Sequence, residues 1–190
     1  EAARATTLST FHALGANILR HHLQRLGWIQ PFAILDEADA KILLKNCLKD
    51  LNLDGSRLDL SWVLSFISRV KASNLAPLDL PGMRYNPQGR TLAKIFDHYQ
   101  LMRKNMNAVD FDDMICLAYD IFEQFPEILE KYQERWQFFL VDEYQDTNAP
   151  QFRLISQLCA KRPNLMVVGD DDQSIYAFRG ADSSHILNFP

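Results

Sequence analysis

The sequence predicts an α/β fold built on parallel strands, and three observations carry that reading. Two apolar runs, Phe138 to Val141 and Leu165 to Val168, are uninterrupted by polar residues, as in strands of a parallel sheet covered on both faces. Each run leads into carboxylates, Asp142 and Glu143 after the first and Asp170 after the second. Between them Pro150 to Ala160 reads as a crossover helix, which completes a βαβ unit of ordinary size.

The other elements follow in chain order. Ala5 to Thr10 is short and Thr-rich, a candidate strand, and Phe11 to Leu26 places Leu14, Ile18, Leu19, Leu23 and Leu26 at helical spacing. Asp36 with Asp39 resembles a capping arrangement that opens a helix whose buried face is Ile42, Leu43, Leu44, Cys47 and Leu48. From Leu60 to Val70 a further helix aligns Trp62, Val63, Phe66, Ile67 and Val70. Asn74 to Gly89 collects Pro77, Pro81, Gly82, Pro87 and Gly89 and reads as a loop. Helical patterns resume over Thr91 to Lys104, Phe111 to Phe125 and Pro126 to Arg135, with Pro126 in a tolerated first-turn position. The middle of the chain, residues 28–108, is thus a helical block set between α/β ends at 1–27 and 109–190.

Composition narrows the class. The 190 residues suffice for one domain carrying a subdomain, and 47% hydrophobic with 23% charged residues is ordinary for a globular core. The longest apolar stretches fall far below the roughly 20 residues that span a bilayer. Glu1 to Thr10 has no apolar core of a signal peptide. The three cysteines, Cys47, Cys116 and Cys159, form no CxxC pair and read as reduced buried thiols, which points to a cytoplasmic protein. A net charge of −4 argues against nucleic-acid binding over the whole surface, because such affinity comes from Lys and Arg releasing counterions.

Ligands of a parallel sheet bind beyond the carboxyl ends of its strands, where Asp142, Glu143 and Asp170 are expected to emerge together. Asp142 suits a magnesium ion, held directly or through water, since magnesium takes one or two carboxylates plus waters and phosphates. Glu143 is placed to orient and deprotonate a water. Gln173 offers an amide that senses a phosphate without adding negative charge. The plainer reading of Leu-Val-Asp-Glu is a strand ending in a polar turn. It weakens because the polar string Tyr144 to Asn148 follows and a second acidic strand end appears one crossover later.

Val141-Asp-Glu-Tyr-Gln-Asp-Thr-Asn148 and Val168-Gly-Asp-Asp-Asp-Gln-Ser-Ile-Tyr176 resemble motifs II and III of the UvrD/Rep/PcrA group of superfamily 1 DNA helicases, with the Rep-like branch favoured. Ser9-Thr-Phe-His-Ala-Leu14 is similar to the group's early Thr-Phe-His motif, and Val109-Asp-Phe-Asp-Asp113 to the segment before motif II. The resemblance implies a partial RecA-like P-loop NTPase domain with a large helical insertion, the 1B-like subdomain. It implies ATP and Mg2+ as cofactors, with Asp142 the magnesium-associated aspartate, Glu143 the catalytic glutamate and Gln173 the γ-phosphate sensor. Single-stranded and duplex DNA are the implied partners. Thr10 and His12 would lie at the single-stranded DNA path, while Phe111, Tyr176 and Phe178 would stack bases with Arg179 beside the strand. Stacking on rings is sequence-tolerant, as a motor requires. Phe178 stands where relatives often carry Trp, so its stacking is expected to be weaker.

No Gly in the chain precedes a Lys, so the phosphate-binding loop of such motors is not among these residues. The resemblance therefore implies a piece of a longer 3′→5′ helicase, inactive as an ATPase by itself. Two other readings stay open. One is a noncatalytic DNA-binding or interaction module on a degenerate helicase fold. The other is a two-metal nuclease centre at Asp142, Glu143 and Asp170 to Asp172, in which Gln173 and the aromatic run have no evident job.

Overall fold

The computed structural model describes residues 6–73, 75–174, 181–182 and 184–189. Among them the chain forms eight α-helices and four short strands. In order these are α1 (Phe11–His22), β1 (Ala33–Ile34), α2 (Glu37–Asp50), α3 (Leu60–Ser73), α4 (Gly89–Asn105), β2 (Ala108–Val109), α5 (Phe111–Gln124), α6 (Pro126–Arg135), β3 (Phe139–Val141), α7 (Ala149–Cys159), β4 (Leu165–Val167) and α8 (Ser184–Leu187). The expected mixture of helices with short parallel strands is present.

Helix starts follow their caps. Thr10 caps α1 by accepting from Ala13 N at 3.2 Å, and α2 opens with the reciprocal capping box of Asp36 and Asp39. Asp110 with Asp113 and Asn148 with Gln151 build the same box at α5 and α7. The predicted helix at 11–26 ends its α-geometry at His22 and finishes as a 3-10 turn over Leu23–Leu26. Residues 6–10 form no strand. They pair with no strand among the described residues, and Thr7 Oγ1 instead accepts from Trp136 Nε1 at 3.1 Å. The Pro/Gly-rich segment carries two 3-10 turns, Pro77–Asp79 and Met83–Tyr85.

Apolar residues collect in two clusters. The first joins α1, α5, α6 and α7 to β3 through Ile18, Leu19, Ile115, Phe122, Val141 and Leu154. Here Gly15 is required by close approach, since a Cβ would overlap the Met114 carbonyl of α5. The second joins α2, α3 and α4 through Leu44, Cys47, Phe66, Ile67, Ile95 and Tyr99. Two residues of the predicted apolar faces are exposed. Ile42 lies off the stripe of Ala40, Leu43, Leu44, Cys47 and Leu48, and Trp62 lies at the rim, stacked on Phe66 with ring centroids 6.5 Å apart.

Where the chain passes between the clusters its two crossings run side by side. β1 pairs in parallel with β2, Ala33 opposite Ala108 and Ile34 opposite Val109, a pairing the two-residue strands gave no periodic signal for. Asn107 ties the crossing further: its Oδ1 accepts from Ile29 N at 3.0 Å and its Nδ2 donates to the Ile29 and Pro31 carbonyls, both at 2.9 Å. Just beyond, a buried ionic cluster bridges the clusters. Lys71 of α3 lies 2.5 Å from Asp110 and 3.0 Å from Asp113, while Arg103 of α4 also pairs with Asp113. Tyr99 OH donates to Asp110 at 3.3 Å. Burial opposes ionisation of Asp110, but Lys71 and then Arg103 outweigh it and hold its pKa down at about 2.

β3 and β4 pair in parallel with Leu140 opposite Met166, as the two apolar runs predict. The expectation that both faces are covered is not met. Phe139, Val141, Leu165 and Val167 pack on the first cluster, whereas Leu140 is 67% and Met166 63% exposed because no described element lies against their face.

Removing one member of the buried cluster strands an opposite charge. Lys71→Met is expected to lower the unfolding free energy by about 3–5 kcal/mol, read from urea denaturation.

Candidate functional site

The parallel pairing continues just past the strands. Val168 N donates to the Val141 carbonyl at 2.8 Å and Tyr144 N to the Val168 carbonyl at 2.9 Å. That places Asp142 and Glu143 beside Asp170 at one sheet edge, as the βαβ reading requires. All three are exposed.

Glu143 sits in the left-handed backbone region at φ 52°, ψ 43°. A non-glycine residue there carries strain on the order of 1–3 kcal/mol and persists only when its surroundings fix it. Several contacts do so. Glu143 N donates to Asp142 Oδ1 at 3.0 Å, and the Glu143 carbonyl accepts from Asp146 N at 2.9 Å, closing the 3-10 turn Tyr144–Asp146. Gln145 Nε2 donates to Glu143 Oε2 at 2.7 Å.

The unusual string 144–148 also has structural work. Tyr144 is buried in the first cluster, edge-on to Phe189 at 5.8 Å. Buried Thr147 donates from Oγ1 to the Tyr144 carbonyl at 2.7 Å, and its own carbonyl accepts from Asp182 N at 3.0 Å. Asn148 caps α7. Gln145, 1% exposed, is the member that reaches both acidic strand ends, since its Oε1 accepts from Asp170 N at 3.1 Å.

After β4, Asp170 organises the next turn. Its Oδ1 accepts from Asp172 N at 3.1 Å and its Oδ2 from Gln173 Nε2 at 2.7 Å. The structure thus brings Asp142, Glu143 and Gln173 into one linked assembly. Sequence reasoning missed Gln145 and Gly169. A Cβ on Gly169 would fall onto Gln145 Oε1, and the Gln at that place in the polar string was the available signal.

Among the described residues no set of three or more His, Cys, Asp and Glu side chains is arranged as a metal cage. Magnesium needs none, because one or two carboxylates plus waters and phosphates satisfy it, and the exposed Asp142 carboxylate at the strand end fits that demand.

A second group of expected site residues lies at the α1 and α5 starts. His12 and Phe111 meet edge to face with ring centroids 5.9 Å apart. Phe111 is 51% exposed, not a core residue, and borders a groove of about 460 Å³ that Ser61, Ser65, Tyr99 and Asp112 also line. The Thr10 hydroxyl is exposed and serves as the α1 cap. Tyr176, Phe178 and Arg179 lie outside the described residues.

A family model for the UvrD/REP helicase N-terminal domain matches residues 1–190. An ATP-dependent DNA helicase PcrA of Leuconostoc citreum is 41% identical over 189 residues, covering 100% of this chain and 25% of that protein. PcrA of Staphylococcus aureus is 39% identical over 187 residues, 98% of this chain and 26% of the relative. PcrA of Staphylococcus epidermidis is 40% identical over 189 residues, 100% and 26%. The chain therefore spans about a quarter of the length of the curated relatives it matches.

Burial lowers the His12 pKa, with Asp112 opposing only in part. An NMR titration of the chain is expected to give a His12 midpoint below the roughly 6.5 of a free imidazole.

Proposed function

The chain belongs to the UvrD/REP helicase family, and from that premise we propose that it supplies the magnesium, water-activating and γ-phosphate-sensing residues of an ATP-dependent 3′→5′ DNA helicase. The observation that carries the proposal is the hydrogen-bonded assembly of Glu143, Gln145, Asp170 and Gln173 at one edge of a parallel sheet. Residues 1–27 and 109–190 then belong to a RecA-like ATPase domain, and 28–108 to its helical insertion. The side-by-side crossings at β1 and β2 and the separate apolar cluster of α2 to α4 support that division. The relatives reported are PcrA proteins and do not single out the Rep-like branch. No described helix is long and apolar enough to cross a membrane. The proposed setting is the cytoplasm.

In this reading Asp142, with Glu143 beside it, would hold the magnesium of bound ATP. The ion, when bound, neutralises charge that develops on the transferring phosphate. Gln145 occupies one Glu143 oxygen and leaves the other to accept the proton of the attacking water. One Gln173 N–H is taken by Asp170, and an amide nitrogen has a second to offer the γ-phosphate. His12 and Phe111 contribute a base-stacking face, whose value lies in binding any sequence.

In a full-length protein carrying this chain, Glu143→Gln is expected to cut ATP turnover and unwinding by about 10²–10⁴-fold while nucleotide binding persists. Unwinding at the original rate would remove Glu143 from the chemistry. Phe111→Ala is expected to weaken binding of labelled oligo(dT) by about 1–3 kcal/mol. Oligo(dT) binding with no ATP-linked change would identify a noncatalytic module, and magnesium-dependent cleavage without ATP a nuclease.

A further inference from the structure

Among the described residues Gln145 is the buried side chain hydrogen-bonded to both acidic strand ends, and the requirements at its two ends differ in kind. At one end the Glu143 carboxylate can only accept a hydrogen bond; at the other the Asp170 backbone N–H can only donate. A primary amide has a donor and an acceptor on one planar group and satisfies both. A Glu side chain would set a carboxylate against Glu143, and a Met would fill the space with neither bond. The backbone is shaped around this side chain, since Gly169 leaves the room that its Oε1 occupies.

The bonds also join the two motifs. From Glu143 the path runs through Gln145 to the Asp170 backbone, and from the Asp170 carboxylate to Gln173. We propose that Gln145 is a positioning residue which holds the Glu143 carboxylate in register with the segment bearing Gln173, so that the water-activating group and the phosphate-sensing group are set as one unit. Gln145, buried behind Glu143, acts through that carboxylate and not on the substrate. This inference rests on the helicase reading of the site.

The test is steady-state ATP hydrolysis with and without oligo(dT), in a full-length protein carrying this chain. Gln145→Met and Gln145→Glu are expected to lower kcat by about 10–100-fold, the range for partners that orient a functional group, with the KM for ATP and oligo(dT) affinity within about threefold of the parent. Gly169→Ala, which displaces Gln145, gives the same split. Parental kcat in Gln145→Met overturns the proposal. So does a joint worsening of KM, DNA affinity and thermal stability along with kcat in both Gln145→Met and Gln145→Glu, which is the mark of a structural role. Absence of ATP hydrolysis in the parent itself would sink the helicase reading, a result distinct from an active parent with an indifferent Gln145.

Discussion

The site depends on two hydrogen bonds beyond the formal ends of β3 and β4, where Val168 is held between Val141 and Tyr144. Parallel strands deliver their exits to the same edge, so this pairing brings residues 142–143 against residue 170 although a helix and two loops separate them in sequence. The register matters as much as the direction. A slip of one residue would turn Val141 outward and Leu140 inward, and Tyr144 would leave the core that anchors the turn after Glu143. The strained backbone at Glu143 is tolerable because contacts fix both sides of it.

A second constraint acts at the start of α5. Asp110 and Asp113 close the capping box that starts this helix, and the same carboxylates receive Lys71 and Arg103 from the neighbouring helices. Buried ion pairs often add little stability over apolar side chains of equal volume. What these add is direction, because they fix the first turn of α5 against α3 and α4 and so fix the angle at which Phe111 stands out from the surface. The aromatic site and the carboxylate site thus rely on different kinds of interaction: buried charge for one, sheet hydrogen bonding with an amide bridge for the other.

Much of this was readable in the residues. Local signals performed well: the Asp36/Asp39 cap, the proline start of α6, and the apolar stripes of α3 and α5 reflect chemistry within a few positions of each element. The acidic strand ends were legible for the same reason. Readings that needed a distant partner fared worse. Nothing near Lys71 or Arg103 announces that each will be buried against an aspartate from another helix. β1 and β2 are too short to show alternation, and residues 6–10 have strand-like composition but no described neighbour to pair with. Uninterrupted apolar runs at β3 and β4 suggested two covered faces, while among the described residues only the face bearing Val141 and Val167 is covered. Gln145 passed as part of a motif because its role is defined by Asp170, twenty-five positions later.

The crossing at β1 and β2 bears on how such a chain changes over evolutionary time. Its entry and exit are adjacent, pinned by two ladder pairs and one asparagine side chain. A segment that leaves and returns at adjacent points can lengthen, shorten or be exchanged without altering the spacing of the elements that flank it, because the gap it must close stays constant. Selection can then reshape the helices between the crossings while the β3/β4 sheet edge is inherited intact, with the Lys71 and Arg103 contacts as the main constraint on any replacement.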